Sequence, residues 1–455
     1  MDTQPTAAPA EALRQRLHAA GVHTLLVQFT DVHGCAKGKL VPLTGLDTVL
    51  RSGAGFSGPS IWGTGLPRSG PRSEYYARGD ASTAQPLPWL PGVARIVGDG
   101  WVDGRAFDAC PRQVLRRATA NLAARGWHLE VGIEPEFFLL RRGADGGYAP
   151  FDALDRLARP SYDLGSLLRA QPLLDELRGW LVACGFDVSQ IDHEDAHGQY
   201  ELNYAHAEAL VSADRLLLFK LAAQAAAGKH GAVFSLMPKP FADQPGSGLH
   251  LHVSLWQGGR KLFEPGPDGG AGEAAAAPLS RLGMQFMAGV LAHTPALCAL
   301  AAPTVNSYRR LGARDSISGT AWAPQRAAHG PNNRTALIRT LPGRFEWRLP
   351  DASANVYLAL AALIAAGLDG VDRGLQPPPA CTDDLEARAE PAGAPWPRLP
   401  ADLERAVDAL EADAVVAAAL GPTLCAEFAR LKRAEAAEAA RQVSPWELAR
   451  YAEAF

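Results

Sequence analysis

Paired cysteines are missing from this 455-residue chain. Its six cysteines, Cys35, Cys110, Cys184, Cys298, Cys381 and Cys425, stand far apart and none forms a C-x-x-C pair. That spacing indicates neither a disulfide framework nor a zinc knuckle. Long basic runs are also missing, and the formal net charge is −4, which argues against nucleic acid or an anionic membrane as the main partner. No uninterrupted apolar stretch reaches the ~18 residues of a membrane span. The region around Ala288–Ala302 comes nearest and is broken by His293 and Pro295. The start of the chain is polar and Ala-rich, without the basic–apolar–small order of a secretory signal. A reducing cytoplasm is the expected location.

What is present is ordinary globular material, 47% hydrophobic and 20% charged. The length exceeds the ~250–300 residues at which one core usually divides, so two domains of unequal size are expected. Five stretches look strand-like and carry charged or ligating residues two positions apart. They contain Glu134 with Glu136, Glu201 with Asn203, Lys239 beside Phe241, His250 with His252, and Arg344, Glu346 and Arg348. Residues two apart on a strand share a face. Their neighbours Phe137, Phe138, Leu249, Leu251, Trp347 and Leu349 are apolar, so the stretches read as mostly buried. Buried charge is costly unless it is paired or holds a metal. Together they predict a sheet with one face built for cations and an anionic substrate.

Residues 9–20 read as a helix, and His23–Thr30 and Cys35–Val41 as two strands joined by the turn residues Asp31–Gly34. Residues 51–95 are rich in Gly, Pro and Ser and read as loops with short strands; Pro91–Gly104 adds a strand pair. A small strand-rich unit therefore ends near residue 105. Beyond it, helical and strand patterns alternate, with one long helix expected over 279–300. The strands are short, so antiparallel pairing is expected rather than a doubly wound parallel sheet. Residues 372–399 read as a Pro-rich surface linker and 400–455 as a helical tail.

The motifs I-E-P-E-F-F, H-E-D-A-H-G-Q-Y-E-L-N, M-P-K-P-F, G-S-G-L-H-L-H-V-S, N-S-Y-R-R-L, N-N-R-T-A-L-I-R and R-F-E-W-R-L-P-D occur in that order. With them the chain resembles the glutamine synthetase family from about residue 20 onward. H-E-D-A-H-G-Q, M-P-K-P-F and G-T-A-W-A-P resemble its type III branch, which borders on γ-glutamylmethylamide synthetases and other γ-glutamyl amine ligases. The resemblance implies an α+β fold with a small β-grasp N-terminal domain, here 1–105. The large catalytic domain, here 106–455, would carry a curved, mainly antiparallel sheet. It also implies ring-shaped homo-oligomers, as a hexamer ring or a dodecamer, with sites between one subunit's N-terminal domain and its neighbour's sheet. The implied reaction is ATP-dependent amide formation. ATP phosphorylates the γ-carboxylate of glutamate, and an amine or ammonia displaces phosphate.

By the family's motifs, Glu136, Glu194 and Glu201 would hold one divalent ion and Glu134, His250 and Glu346 a second. Five carboxylates and one imidazole suit Mg²⁺ or Mn²⁺. Asp195 is a rival to Glu194 within H-E-D. Arg344 and Arg339 are expected on the ATP phosphates and Arg334 near the transferring phosphoryl, because planar guanidinium forks match phosphate oxygens. Arg310 and Arg348 are expected on the glutamate carboxylates, His252 and Ser254 on the nucleotide, and Gly246 at the amino acid.

Three departures from the family matter. Its F-D-G-S-S becomes Phe56-Ser57-Gly58-Pro59-Ser60, so Ser57 replaces an acid that serves ammonium. A flap glutamate six residues after the substrate arginine becomes Ser316, with Asp315 adjacent as the remaining candidate base. An Asn that touches glutamate becomes Pro245. Losing both carboxylates weakens the case for ammonia and favours an organic primary amine, alkyl or aromatic. Phe56, Trp62 and Trp322 are candidate pocket walls. Glutamine synthesis, and an inactive scaffold or regulator, are the alternatives.

Overall fold

A computed structural model describes residues 7–265, 278–313, 316–386 and 395–455. Asp315 lies outside the described residues.

Two sheets divide the chain. The first runs in the order Ala36–Pro42, Thr24–Thr30, Val93–Val102, Glu74–Gly79, Ala54–Ser57. Thr24–Thr30 and Val93–Val102 are parallel and the other neighbours antiparallel, the mixed arrangement expected of a β-grasp unit. Val93–Val102 is a single long strand where the sequence suggested a pair; its end turns back in a short hairpin with Arg105–Ala106, and its longer partners lie elsewhere in the chain. The second sheet runs Val188–His193, Gln199–Tyr204, His128–Arg142, Leu249–Gln257, Arg344–Trp347, Ile338–Leu341, His329–Pro331. All these neighbours are antiparallel except the last pair.

Helices cover the back of the large sheet. Val356–Asp372 is apolar on nearly every side and lies almost wholly buried among them. It meets the helix Arg281–Ala292 through two glycines: a Cβ on Gly289 would stand 2.1 Å from the Ala366 carbonyl oxygen, and one on Gly370 2.3 Å from that of Gln285. Only glycine allows that approach. The expected helix over 279–300 breaks at His293, and Thr294–Ala301 continues at 74° to it, with Pro295 in its first turn.

A buried ion network joins the two sheets. Arg112 (3% exposed) donates to Asp214 at 2.7 and 3.0 Å, to Asp99 at 2.8 Å and to Asp80 at 3.0 Å. The Tyr357 hydroxyl donates to Asp214 at 2.6 Å. Asp80 and Asp99 belong to the N-terminal sheet region, whereas Asp214 and Tyr357 sit on helices behind the large one.

The expected linker over 372–399 is not a free surface strap in its described parts. Cys381 and Trp396 are buried against Ala328 and Ala336. Backbone bonds tie Cys381 to His329, and Ala327 to Pro397. The tail is helical as expected, over Leu403–Ala412, Ala414–Leu420, Pro422–Ala440 and Pro445–Tyr451. Among the described residues no single helix is long and apolar enough to cross a membrane.

Candidate active site

Strand register explains why distant residues meet. Glu134 and Glu136 point to one face of His128–Arg142. On one side Glu136 stands opposite Glu201, which stands opposite Asp192. On the other side Glu134 stands opposite His250, and His252 opposite Glu346, which faces Arg339. Three carboxylates thus lie in one cross-strand row, an arrangement that repels itself unless a cation intervenes.

All of these groups except His252 line a cavity of about 380 Å³. All six expected metal ligands, Glu134, Glu136, Glu194, Glu201, His250 and Glu346, face into it, together with Gly246, Arg310, Arg334, Arg339 and Arg348. One side chain atom from each of Glu134, His250 and Glu346, the residues expected around a second ion, lies within 4.8 Å of the others. The first expected trio is spread over two overlapping groups, Glu136–Glu201–His250 and Asp192–Glu194–Glu201. Asp192 was missed in the sequence, although it stands two residues before Glu194.

The donor set fits divalent cations. His250 Nδ1 lies 3.5 Å from Glu346, 3.7 Å from Glu136 and 3.8 Å from Glu134. Those gaps are too long for hydrogen bonds. Ligands about 2.1 Å from a common octahedral ion stand roughly 3–4 Å apart. His250 Nε2 is buried without a partner. Burial, then Arg348, push the His250 imidazole well below its usual range, so it is neutral, as a metal-binding imidazole must be. Burial first, then neighbouring carboxylates, push Glu194 and Glu201 well above theirs. Glu346 behaves oppositely: burial alone would raise it, but the guanidiniums, Arg348 above all and Arg339, bring it down to about 2. Gly248 leaves the cradle open, because a Cβ there would stand 2.6 Å from His250 Nε2 and 3.1 Å from both Glu136 and Arg310.

The arginines are held from behind. Arg310, 2% exposed, donates to the carbonyls of Leu349 and Arg348 at 3.0 and 3.2 Å. Gly246 packs against its stem. Arg348 bonds Glu346 and the Trp322 carbonyl. Arg339 reaches Glu346 at 3.0 Å and Asn332 at 2.6 and 2.9 Å. Arg334 stands exposed on the rim.

Of the other expected residues, Asp195 and Trp322 line the cavity and the rest fall outside its lining. His252 donates to Glu134 across 2.9 Å and accepts from Arg344 at 3.3 Å, so both reach the site through Glu134. Ser254 lies further along the same strand face, accepting from Trp256 at 2.9 Å. Ser57 sits in the N-terminal sheet, bonded to Ser60. Phe56 packs against Phe29 and Tyr75, and Trp62 is an exposed residue beside His33; of the three expected walls only Trp322 lines the cavity. Lys239 and Phe241 lie in a loop rather than a strand, because two prolines prevent ladder pairing there. Lys239 bonds the Gln244 carbonyl. Asp195 is occupied by four hydrogen bonds from Ser161, Ser318, Thr320 and Trp322, so it is Glu194 that faces the acidic row.

A family model described as the catalytic domain of glutamine synthetase matches residues 108–451. The chain belongs to the glutamine synthetase family. It is therefore a ligase by family, and enzymes of the glutamine synthetase family use ATP and divalent metals. The chain is 46% identical to a glutamate–methylamine ligase of Methyloversatilis universalis, covering 98% of this chain and all of that one. It is 36% identical to a glutamine synthetase of Rhizobium leguminosarum bv. phaseoli, covering 93% of this chain and 94% of the relative. Among solved structures, one described as a GmaS/ADP complex superposes with a TM-score of 0.89 at 38% identity, covering 97% of this chain and 99% of that one. An apo GmaS gives 0.88 at 36% identity, with the same coverage.

Proposed function

We propose that this protein is an ATP-dependent ligase that joins the γ-carboxylate of glutamate to an organic primary amine, giving a γ-glutamyl amide, ADP and phosphate. The observation that carries the reading is the row of buried carboxylates and His250 facing Arg310 and Arg348 in one cavity. Whole-length similarity to a glutamate–methylamine ligase points to a short alkyl amine.

A bare carboxylate does not acylate an amine at useful rates, so a leaving group must be installed first. The glutamate γ-oxygen attacks the terminal phosphorus of ATP and ADP departs. The amine nitrogen then attacks the acyl phosphate, loses a proton, and phosphate leaves. Phosphoryl transfer of this kind needs positioning and charge neutralisation more than covalent help. Arg310 and Arg348 grip the two carboxylates of glutamate, with Gly246 giving room for its backbone. Arg334 and Arg339 face the transferring phosphoryl, and His252, Ser254 and Arg344 mark the side from which ATP enters. Glu134, Glu136, Glu194, Glu201, His250 and Glu346 would hold two divalent ions, Mg²⁺ or Mn²⁺, which would supply charge neutralisation at the phosphate oxygens. Asp315 is the candidate base for the amine proton.

The same reading makes the protein a ring-shaped homo-oligomer. Ser57 lies outside its own chain's cavity lining, and Tyr162 on that lining is exposed, as are Leu164 and Leu168 just after it in the chain, for a neighbour to cover.

The test is ADP release with glutamate, Mg²⁺ and a panel of ammonia, methylamine, longer alkylamines, polyamines and anilines. The expected outcome is a higher kcat/KM for an organic amine than for ammonia. A clear preference for ammonia would make the protein a glutamine synthetase instead, and no ADP with any nitrogen source would make it a non-catalytic family member.

A further inference from the structure

Four non-glycine residues among those described have positive φ; two of them line the cavity and a third holds Arg339, which does. Tyr162 (+63°) and Trp322 (+54°) line it, and Asn332 (+50°) anchors Arg339. A bulky aromatic side chain in left-handed backbone persists only where its surroundings enforce it.

Asp195 is the enforcing group. It is 6% exposed, and its Oδ2 accepts from Trp322 Nε1 at 2.8 Å, Ser318 Oγ at 2.6 Å and Thr320 Oγ1 at 2.9 Å. Its Oδ1 accepts from Ser161 Oγ at 2.8 Å, in the segment that carries Tyr162. One buried carboxylate therefore ties together the two loops that bring aromatic rings to the cavity. The Trp322 carbonyl is fixed as well, by Arg348 at 3.4 Å, and the Ala321 N–H donates to Glu386 at 2.8 Å. The indole is tethered through its Nε1–H to Asp195, and the backbone that carries it is pinned by Arg348 and Glu386.

The position of that ring is informative. Most of the cavity wall is carboxylate, guanidinium and amide. Trp322, Tyr162 and Pro245 supply the apolar surface. The Trp322 ring bonds Asp195, the residue next to Glu194, and its backbone carbonyl accepts from Arg348, so the residue stands between the acidic row and the guanidinium. An alkylammonium meets complementary chemistry there: carboxylate for its charge and an aromatic face for its carbon and for the cation itself.

We propose that Trp322, locked by Asp195, is the wall against which the carbon substituent of the amine packs, and that it selects a short alkyl amine over both ammonia and bulky amines. This rests on the ligase reading above. Ammonia has no carbon to bury against the ring. A methyl group does, and a contact of that size in an apolar pocket is worth about tenfold in kcat/KM. A butyl chain would have to displace an indole tethered to a buried carboxylate. Asp195 touches no reacting atom in this scheme and acts as a positioning residue.

The experiment measures kcat/KM for ADP release with ammonia, methylamine and butylamine in the full-length enzyme and in W322A, W322F and D195N. W322A is expected to lower the methylamine-to-ammonia ratio about tenfold and to raise the butylamine-to-methylamine ratio by a similar factor. W322F keeps an aromatic wall and holds the first ratio within about threefold of the wild type. D195N, with one acceptor oxygen replaced by a donor, shifts both ratios in the W322A direction. A merely structural role for Asp195 would lower all three amines alike and leave the ratios in place. If D195N fails to fold, the two Trp322 variants decide the matter. Unchanged ratios in W322A overturn this inference while the wild type still releases ADP. A wild type silent with every amine overturns the ligase reading first.

Discussion

Replacing Glu201 by Gln should stabilise the metal-free protein and blunt its response to metal. Glu201 stands between Glu136 and Asp192 in the strand register, and one oxygen from each of Glu201, Glu194 and Asp192 lies within 4.8 Å of the others. Two unit charges that far apart repel by about 3 kcal/mol at an effective dielectric constant of about 20. Partial protonation relieves some of that, since burial and the neighbouring carboxylates raise the Glu201 carboxyl well above its usual range. The net gain on neutralising it is then about 1–2 kcal/mol, or roughly 1–4 °C in a chain of this size. The Gln carbonyl can still accept the hydrogen bond that Asn203 now gives Glu201 at 2.9 Å, so little is lost in exchange. The assay is thermal unfolding with EDTA and with excess Mg²⁺. Wild type should gain strongly from Mg²⁺, and Glu201→Gln should start higher and gain less. The pH dependence carries the same sign. A raised carboxyl binds its proton more tightly when folded. Its stabilising contribution is present below the ordinary 4.5 and is lost as pH rises through the folded value. Metal-free wild type should therefore lose stability with rising pH more steeply than the variant. A variant that melts below wild type in EDTA, or that gains as much from Mg²⁺, would refute the reasoning.

Gly248→Ala should leave the fold intact, costing about 1–3 kcal/mol by overpacking, but cut kcat/KM by about a hundredfold or more, because one methyl intrudes between His250, Glu136 and Arg310; near-normal turnover would contradict the cradle. Arg112→Ala leaves Asp214, Asp99 and Asp80 without their shared partner and should cost about 3–5 kcal/mol, read from the urea midpoint. His293 bonds Asp413 at 2.6 Å and Asp369 at 3.0 Å, and the Asp413 bond, opposed by partial burial, raises its imidazole above 6.5. Its stabilising contribution is present below 6.5 and lost as pH rises through the folded value, so His293→Gln should flatten the melting-temperature profile in that window.

Much of the site was legible because strand register is a simple rule. Glu134, Glu136, Glu201, His250 and Glu346 each sit on a strand whose apolar alternates fix which face points inward. Asp192 obeys the same spacing and was readable in I-D-H-E. Lys239 was misplaced because spacing was weighed above the two prolines that forbid a ladder. The roles of Asp195 and Trp322 were hidden for a different reason. Trp322 takes a backbone conformation normally reserved for glycine, and its carboxylate partner is 127 positions away, where no periodicity reports it. The linker was misjudged because proline-rich composition signals irregular backbone, not exposure; Trp396 and Cys381 inside it bury themselves on the catalytic side. The N-terminal sheet was legible as strands but not in its order, which pairs Thr24–Thr30 with Val93–Val102 across a long stretch of chain.

The most direct test is a crystal grown with Mn²⁺ and ADP and examined by anomalous scattering at the manganese edge. Two peaks are predicted, one among Glu134, His250 and Glu346, the other among Glu136, Glu194 and Glu201. A map with ADP bound and no manganese among those side chains would contradict the account.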